Sequence, residues 1–303
     1  MARSQIILII ALAISLGVSL GSSHIDQYFL EVVIGIGINI ILAVSLNLIN
    51  GYTGQFSLGH AGFMAVGGYT AAMITLNVSS PWMFVPSLIL GGLFAAATGL
   101  IVGIPSLRLK GDYLAIVTLG FGEIIRVSLQ NMQFVGGALG LKGIPEYTNF
   151  FWTFGLAALC TYMVVCLVKS TYGRGFLAVR DDEIAAESMG INTTKYKVTA
   201  FVIGAFWAGI AGGLYAHQKT VLTPEGFNFM RSFEIVVMVI LGGMGRTAGV
   251  IAAAIILTIL PEMLREFADY RMIIYSLLLI ILMITRPQGI FSWERKRKPT
   301  LSA

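Results

Sequence analysis

Charge is the scarcest commodity in this sequence. Only 12% of its 303 residues are Asp, Glu, Lys or Arg, about half of the roughly 25% found in soluble domains. So few polar groups cannot cover a water-soluble globule. Disorder is excluded from the other side. Residues of the AVILMFWYC set make up 56% of the chain and mean hydropathy is +0.83, far too much apolar area to stay hydrated. Cysteine is nearly absent: Cys160 and Cys166 share one apolar run, which gives neither a disulfide framework nor metal-ligand spacing. A Gly-x4-Gly-Lys-Ser/Thr phosphate cradle is missing, and Gly120-Phe-Gly122 lacks the third glycine of a dinucleotide turn. So is the Gly-x-Ser-x-Gly turn that exposes a serine nucleophile. No catalytic residue, metal site or cofactor is therefore expected. The reading left is an all-α polytopic membrane protein.

Apolar stretches near the 20 residues needed to cross about 30 Å of hydrocarbon fall at 5–21, 29–49, 56–76, 83–103, 113–131, 149–168, 198–216, 233–245, 248–262 and 271–286. About 8–10 transmembrane helices are expected, some broken or re-entrant. Segment 56–76 holds Ser57, His60 and many glycines. The short pair 233–245 and 248–262 flanks the turn Leu241-Gly-Gly-Met-Gly-Arg246. Residues 1–28 read as a retained signal anchor plus a short outer loop rather than a cleaved signal peptide. With the N-terminus inside and spans alternating, fourteen Lys and Arg fall inside, five outside and one, Arg126, within a span. Positive charge marks the cytoplasmic side, so both termini are placed there. The net charge of +5 is then a topology signal plus a basic tail, 292–303, near anionic lipid headgroups. No nucleic-acid partner is implied, because the aromatics sit in the spans rather than among the basic residues.

Small residues recur every four positions: Gly204, Ala208 and Gly212; Ala205, Gly209 and Gly213; Gly99 and Gly103; Gly245 and Gly249. Such stripes let helix backbones approach closely in lipid, either within this chain or against another subunit. Polar groups at membrane depth concentrate in 45–69: Asn47, Asn50, Gln55, Ser57, His60 and Tyr69. Irregular backbone is tolerated there only when buried in protein or lining a cavity. The stretch reads as a wall of a translocation path or as a tightly packed glycine-rich helix. Glu123 and Arg126 share a helix face and read as a structural bridge or as a gate, since charges at this depth are costly and usually paired.

The longest polar stretch, 169–197, contains a short amphipathic helix: Asp181 or Asp182 caps it, Glu183 favours its first turn, and Gly190 stops it. Phe176, Leu177, Ile184 and Met189 supply apolar contacts. On these grounds the loop is either a docking element for another protein's groove or a solvated connector.

Ile184-Ala-Ala-Glu-Ser-Met-Gly190 resembles the cytoplasmic Glu-Ala-Ala…Gly loop of ABC-importer permeases: Ala185, Ala186 and Gly190 match in spacing, and Ile184 takes the usual Glu place. Ser45-Leu-Asn-Leu-Ile-Asn-Gly-Tyr-Thr-Gly-Gln-Phe-Ser-Leu-Gly-His-Ala-Gly-Phe-Met-Ala-Val-Gly-Gly-Tyr69, Tyr172-Gly-Arg-Gly, Arg180-Asp-Asp-Glu-Ile-Ala-Ala and Leu241-Gly-Gly-Met-Gly resemble the branched-chain amino acid permease family, and the tail Arg286-Pro-Gln-Gly-Ile-Phe resembles its M-type subunit. The resemblance implies a permease domain over 29–291 in the bacterial inner membrane, an H-type permease partner, two cytoplasmic ATPases that bind the ATP, and an extracytoplasmic solute-binding protein delivering leucine, isoleucine or valine. Coupling to the ATPases would rest on Phe176, Arg180, Asp181, Glu183, Ile184, Ala185, Ala186, Glu187 and Gly190. The translocation path would involve Asn47, Gln55, Ser57, His60, Tyr69, Glu123 and Arg126. A permease for urea or a short amide, and an ion-coupled secondary transporter using Glu123 and Arg126, are the alternatives.

Overall fold

A computed structural model describes residues 26–78, 80–106, 109 and 111–264, with isolated positions between 8 and 17 and between 276 and 284. Apart from those isolated positions, the expected spans 5–21 and 271–286 lie outside the described residues, as do the charges at Arg108 and Lys110 and the basic tail. Within them the chain is helical: α1 (Gln27–Asn47), α2 (His60–Asn77), α3 (Phe84–Ser106), α4 (Asp112–Asn131), α5 (Phe150–Lys169), α6 (Gly173–Asp181), α7 (Glu183–Ser188), α8 (Thr193–Lys219), α9 (Phe229–Gly242) and α10 (Thr247–Met263). The described strands are two-residue pieces, β1 (Leu141–Lys142) and β2 (Val221–Leu222), paired antiparallel. Segments Gln27–Tyr52, Pro81–Pro105, Phe150–Lys169 and Thr193–Lys219 are long and apolar enough to cross a membrane.

Side-chain contacts fix the direction of each helix. Glu31 at the start of α1 pairs with Lys219 at the end of α8 at 3.5 Å. Thr75 near the end of α2 meets His217 at 2.9 Å, and the ring of Phe84, first in α3, lies 5.1 Å from that of His217. These contacts gather at the far end of the bundle. The opposite, loop end carries α6 and α7. The turn between α9 and α10 also lies there, because the Gly245 N–H donates to Asn47 Oδ1 at 2.9 Å. The short pair is thus not a re-entrant hairpin. Residues 220–242 cross from the far end to the loop end, with α9 as the helical part, about 21 Å long at 1.5 Å per residue. α10 then crosses back, its Glu262 bonding Tyr28 at the start of α1.

The small-residue stripes of α3 and α8 pack internally, against each other and against α2. A Cβ on Gly67 or Gly68 of α2 would strike the backbone of Gly209 or Gly212 of α8, and one on Gly99 of α3 would lie 2.6 Å from the Ala205 Cβ. Gly245 and Gly249 do not form such a stripe, since Gly245 (φ +78°) belongs to the turn before α10.

Candidate functional site

The break expected in 56–76 begins earlier. α1 widens into a five-residue π turn, Leu48–Tyr52, a distortion often found at functional sites. Glycine is required at 51, where a Cβ would strike Asn47 Oδ1 and the Gly245 nitrogen. The chain then runs without regular structure from Gly54 (φ +69°) to Gly59 before α2 starts. Buried backbone polar groups need partners, and side chains from the π turn, α4 and α9 supply them. The Ser57 N–H donates to Asn50 Oδ1 at 3.2 Å, and Asn50 Nδ2 donates to the Ser57 carbonyl at 3.4 Å. The Leu58 N–H donates to Thr118 Oγ1 on α4 at 3.0 Å, and the Ala61 N–H to Ser232 Oγ on α9, also at 3.0 Å. His60 Nε2 lies 2.9 Å from Ser45 Oγ of α1.

The break also leaves polar atoms unanswered. Asn47 Nδ2, Gln55 Oε1, Ser57 Oγ and His60 Nδ1 are buried without a hydrogen-bond partner. Of the seven expected path residues, these four therefore come together in one segment. Tyr69 does not join them: its hydroxyl donates to the Leu222 carbonyl at 3.2 Å and its ring packs 6.0 Å from Phe227, bracing the 220–228 descent. Glu123 and Arg126 form a partly exposed 2.7 Å pair on α4. Glu123 lines a narrow crevice with Leu58 and Gly62, outside the buried cluster.

At the loop end, one expected helix is two. Asp182 adopts an extended backbone (ψ 110°) that ends α6, and its Oδ1 accepts from the N–H groups of Ile184 and Ala185 at 2.9 and 3.0 Å, capping α7. Gly190 (φ +80°) follows its last turn. Two contacts fasten α7 to the start of α8: Glu183 to Lys197 at 2.5 Å and Glu187 to Thr193 at 2.7 Å. Ala186 faces inward, whereas Ile184 and Met189 are 71% and 82% exposed. Phe176, expected among the docking residues, is fully buried. Its ring packs 5.6 Å from Tyr172 and 5.5 Å from Tyr196, so it anchors α6 beneath α8 and cannot meet a partner directly.

Arg180 joins the two regions, which sequence reasoning did not foresee. Its guanidinium pairs with Asp181 at 2.8 Å, and its stem lies over Gly54, where an added Cβ would fall 3.2 Å from Arg180 Cγ. Gly54 and Gly245, both with positive φ, thus flank the same arginine. An open cleft of about 370 Å³ lies here among Asn50, Gly54, Phe56, Arg180 and Met244. Sequence reasoning also missed Arg231, counted as an outer-loop charge, which reaches Asn39 of α1 at 2.7 Å. Among the described residues no group of His, Cys, Asp or Glu is placed to hold a metal.

Residues 28–285 match the model of the family described as branched-chain amino acid transport system / permease component. The chain is 37% identical to the high-affinity branched-chain amino acid transport system permease protein LivM of Salmonella typhimurium, over 95% of this chain and 74% of that protein. To LivM of Escherichia coli it is 38% identical, over 85% of this chain and 68% of that protein. LivH of Salmonella typhimurium is 23% identical, over 82% of this chain and 90% of the other. No solved structure shows a significant match. The chain belongs to the branched-chain amino acid transport permease family, on its M-type branch.

Proposed function

We propose that this multi-pass permease works in the bacterial cytoplasmic membrane as one half of an ATP-driven importer for leucine, isoleucine and valine. It pairs with an H-type permease, rests on two cytoplasmic ATPases that bind the ATP, and receives solute from an extracytoplasmic binding protein. It holds no cofactor, and its termini and residues 169–197 face the cytoplasm.

One observation carries the coupling role: α7 and its C-cap present exposed Ile184 and Met189, while the inner side of α7 is tied to α8 by Glu183 and Glu187. Apolar knobs on a short capped helix at a watery surface suit a groove in another protein. Movement of α7 then reaches the break by way of Arg180 on Gly54 and Gly245. The break supports the path role. Buried polar groups seek partners, so the atoms of Asn47, Gln55, Ser57 and His60 that find none within the protein can meet water or a zwitterion in a second, open packing. ATP binding need only stabilise that packing over this one.

The test is leucine uptake by proteoliposomes holding the whole complex. The double variant Ile184→Asp, Met189→Asp is expected to insert normally and lose ATP-driven uptake. Full uptake by that variant overturns the docking role. Uptake that survives ATP depletion and follows an ion gradient overturns the importer reading.

A further inference from the structure

The far end of the bundle holds a second cleft, of about 370 Å³, between α1, α8, α9 and α10. Four charged side chains line it, two of each sign: Lys219 and Arg231 against Glu31 and Glu262. Its apolar floor is Val32 and Ile38, with Gly35 leaving open space where a Cβ would stand. Arg231 is the best-held charge. Its Nη2 donates to Asn39 Oδ1 at 2.7 Å and its Nη1 to Glu234 at 2.9 Å, while Asn39 Nδ2 donates to Thr258 Oγ1 at 2.8 Å. A guanidinium has five N–H donors, so this brace orients the fork and leaves donors for another acceptor. The Glu31–Lys219 contact, by contrast, is long at 3.5 Å and about half exposed on both sides, a pair that a charged visitor exchanges at little cost.

Charges of both signs around an aliphatic floor, with Glu234 behind Arg231, suit a small molecule that itself carries both signs. A carboxylate would take the free edge of Arg231 with Lys219 beside it. An ammonium group would take Glu31 and Glu262, and a branched side chain would lie over Val32 and Ile38. The position also fits, because Ser232, next to Arg231, accepts the Ala61 N–H in the first turn of α2. A molecule in this cleft is therefore one residue from the break.

We propose that the cleft is a weak binding subsite for a zwitterionic aliphatic amino acid, with Arg231 as its carboxylate anchor, a proposal that rests on the importer reading above. The test is saturation-transfer NMR on the detergent-purified permease complex, without binding protein, using L-leucine, isovalerate (no ammonium) and 3-methylbutylamine (no carboxylate). Arg231→Gln is expected to weaken leucine and isovalerate about ten-fold or more and to leave the amine unchanged. Glu31→Gln is expected to weaken leucine and the amine but not isovalerate. Should Arg231→Gln melt early, Lys219→Gln, at a half-exposed position, carries the carboxylate arm. Leucine transfer that is absent in the wild type, or indifferent to all three substitutions, in a complex that imports leucine normally, overturns the subsite and spares the importer reading. A complex that fails to import leucine, yet binds a different zwitterion in a manner sensitive to Arg231→Gln, supports the subsite and overturns the solute assignment.

Discussion

Gly67→Ala adds one methyl group where two helices have no room for it. The new Cβ would overlap the Gly209 backbone of α8, whose carbonyl carbon would be 2.5 Å away, against the 3.4 Å of an ordinary contact. About 1 Å of separation has to be found. Moving α2 away from α8 does not supply it freely, because Gly91 of α3 packs on the Gly67 carbonyl, 2.6 Å from where its own Cβ would be. The obstacles are backbone atoms, which cannot rotate aside as a side chain can. Overpacking of this kind costs about 1–3 kcal/mol, a fall in melting temperature of roughly 2–5 °C for a chain of 303 residues. Cys160, fully buried in α5, provides the probe once the half-buried Cys166 is replaced by serine: a thiol-reactive dye then reports its exposure on heating. Gly120→Ala is the control, since that α4 glycine has nothing within 4 Å of an added Cβ and should gain about 0.5–1 kcal/mol of helix stability. Equal melting of the two variants would refute close backbone packing of α2 on α8.

Asp182→Ala removes the acceptor of two N–H groups at the start of α7, a loss of about 1 kcal/mol. A helix of six residues has little stability of its own, so the ratio of leucine uptake to ATP hydrolysis in the reconstituted importer should fall, with Asp182→Asn restoring most of it. The Glu183–Lys197 pair makes an ordered prediction. The lysine side chain is 8% exposed and the glutamate 22%, so Glu183→Gln strands the better-buried charge and should lower the melting temperature more than Lys197→Met does. The reverse order in thermal melts would contradict the burial of Lys197.

Most of the helix pattern was legible because lipid imposes one simple demand, an apolar run of sufficient length. The expected 29–49, 83–103, 113–131 and 149–168 differ from α1, α3, α4 and α5 by at most three residues at any end. The break was harder to place. Gly51, Gly54 and Gly59 advertise permissive backbone, but composition does not say that the irregularity starts as a π turn within α1. Nor does it say how the far side of the break is held, which depends on Thr118 and Ser232, 60 and 171 residues away from the N–H groups they accept. Spacing likewise misled at Gly245 and Gly249, because a four-residue interval looks alike in a helix and across the turn that precedes one.

The loop and the arginines show why site residues are less legible than spans. An apolar side chain in a polar loop reads the same whether it faces a partner or its own protein, and only Tyr172 and Tyr196, closing over Phe176, separate it from exposed Ile184. Arg231 precedes an apolar run and so reads as an outer charge, but α9 begins only after residues 220–228 have descended into the bundle, which carries the guanidinium to Asn39. Arg180 is drawn inward by the same logic, onto two glycines that come from different breaks in the chain. Both arginines thus sit where helix ends that are distant in sequence converge, Arg180 at the loop end of the break and Arg231 beside its inner edge. A change in how those ends meet must alter the surroundings of both cations. On the proposals above, motion of α7 and occupancy of the far cleft would act on the same segment, 47–61, from opposite sides.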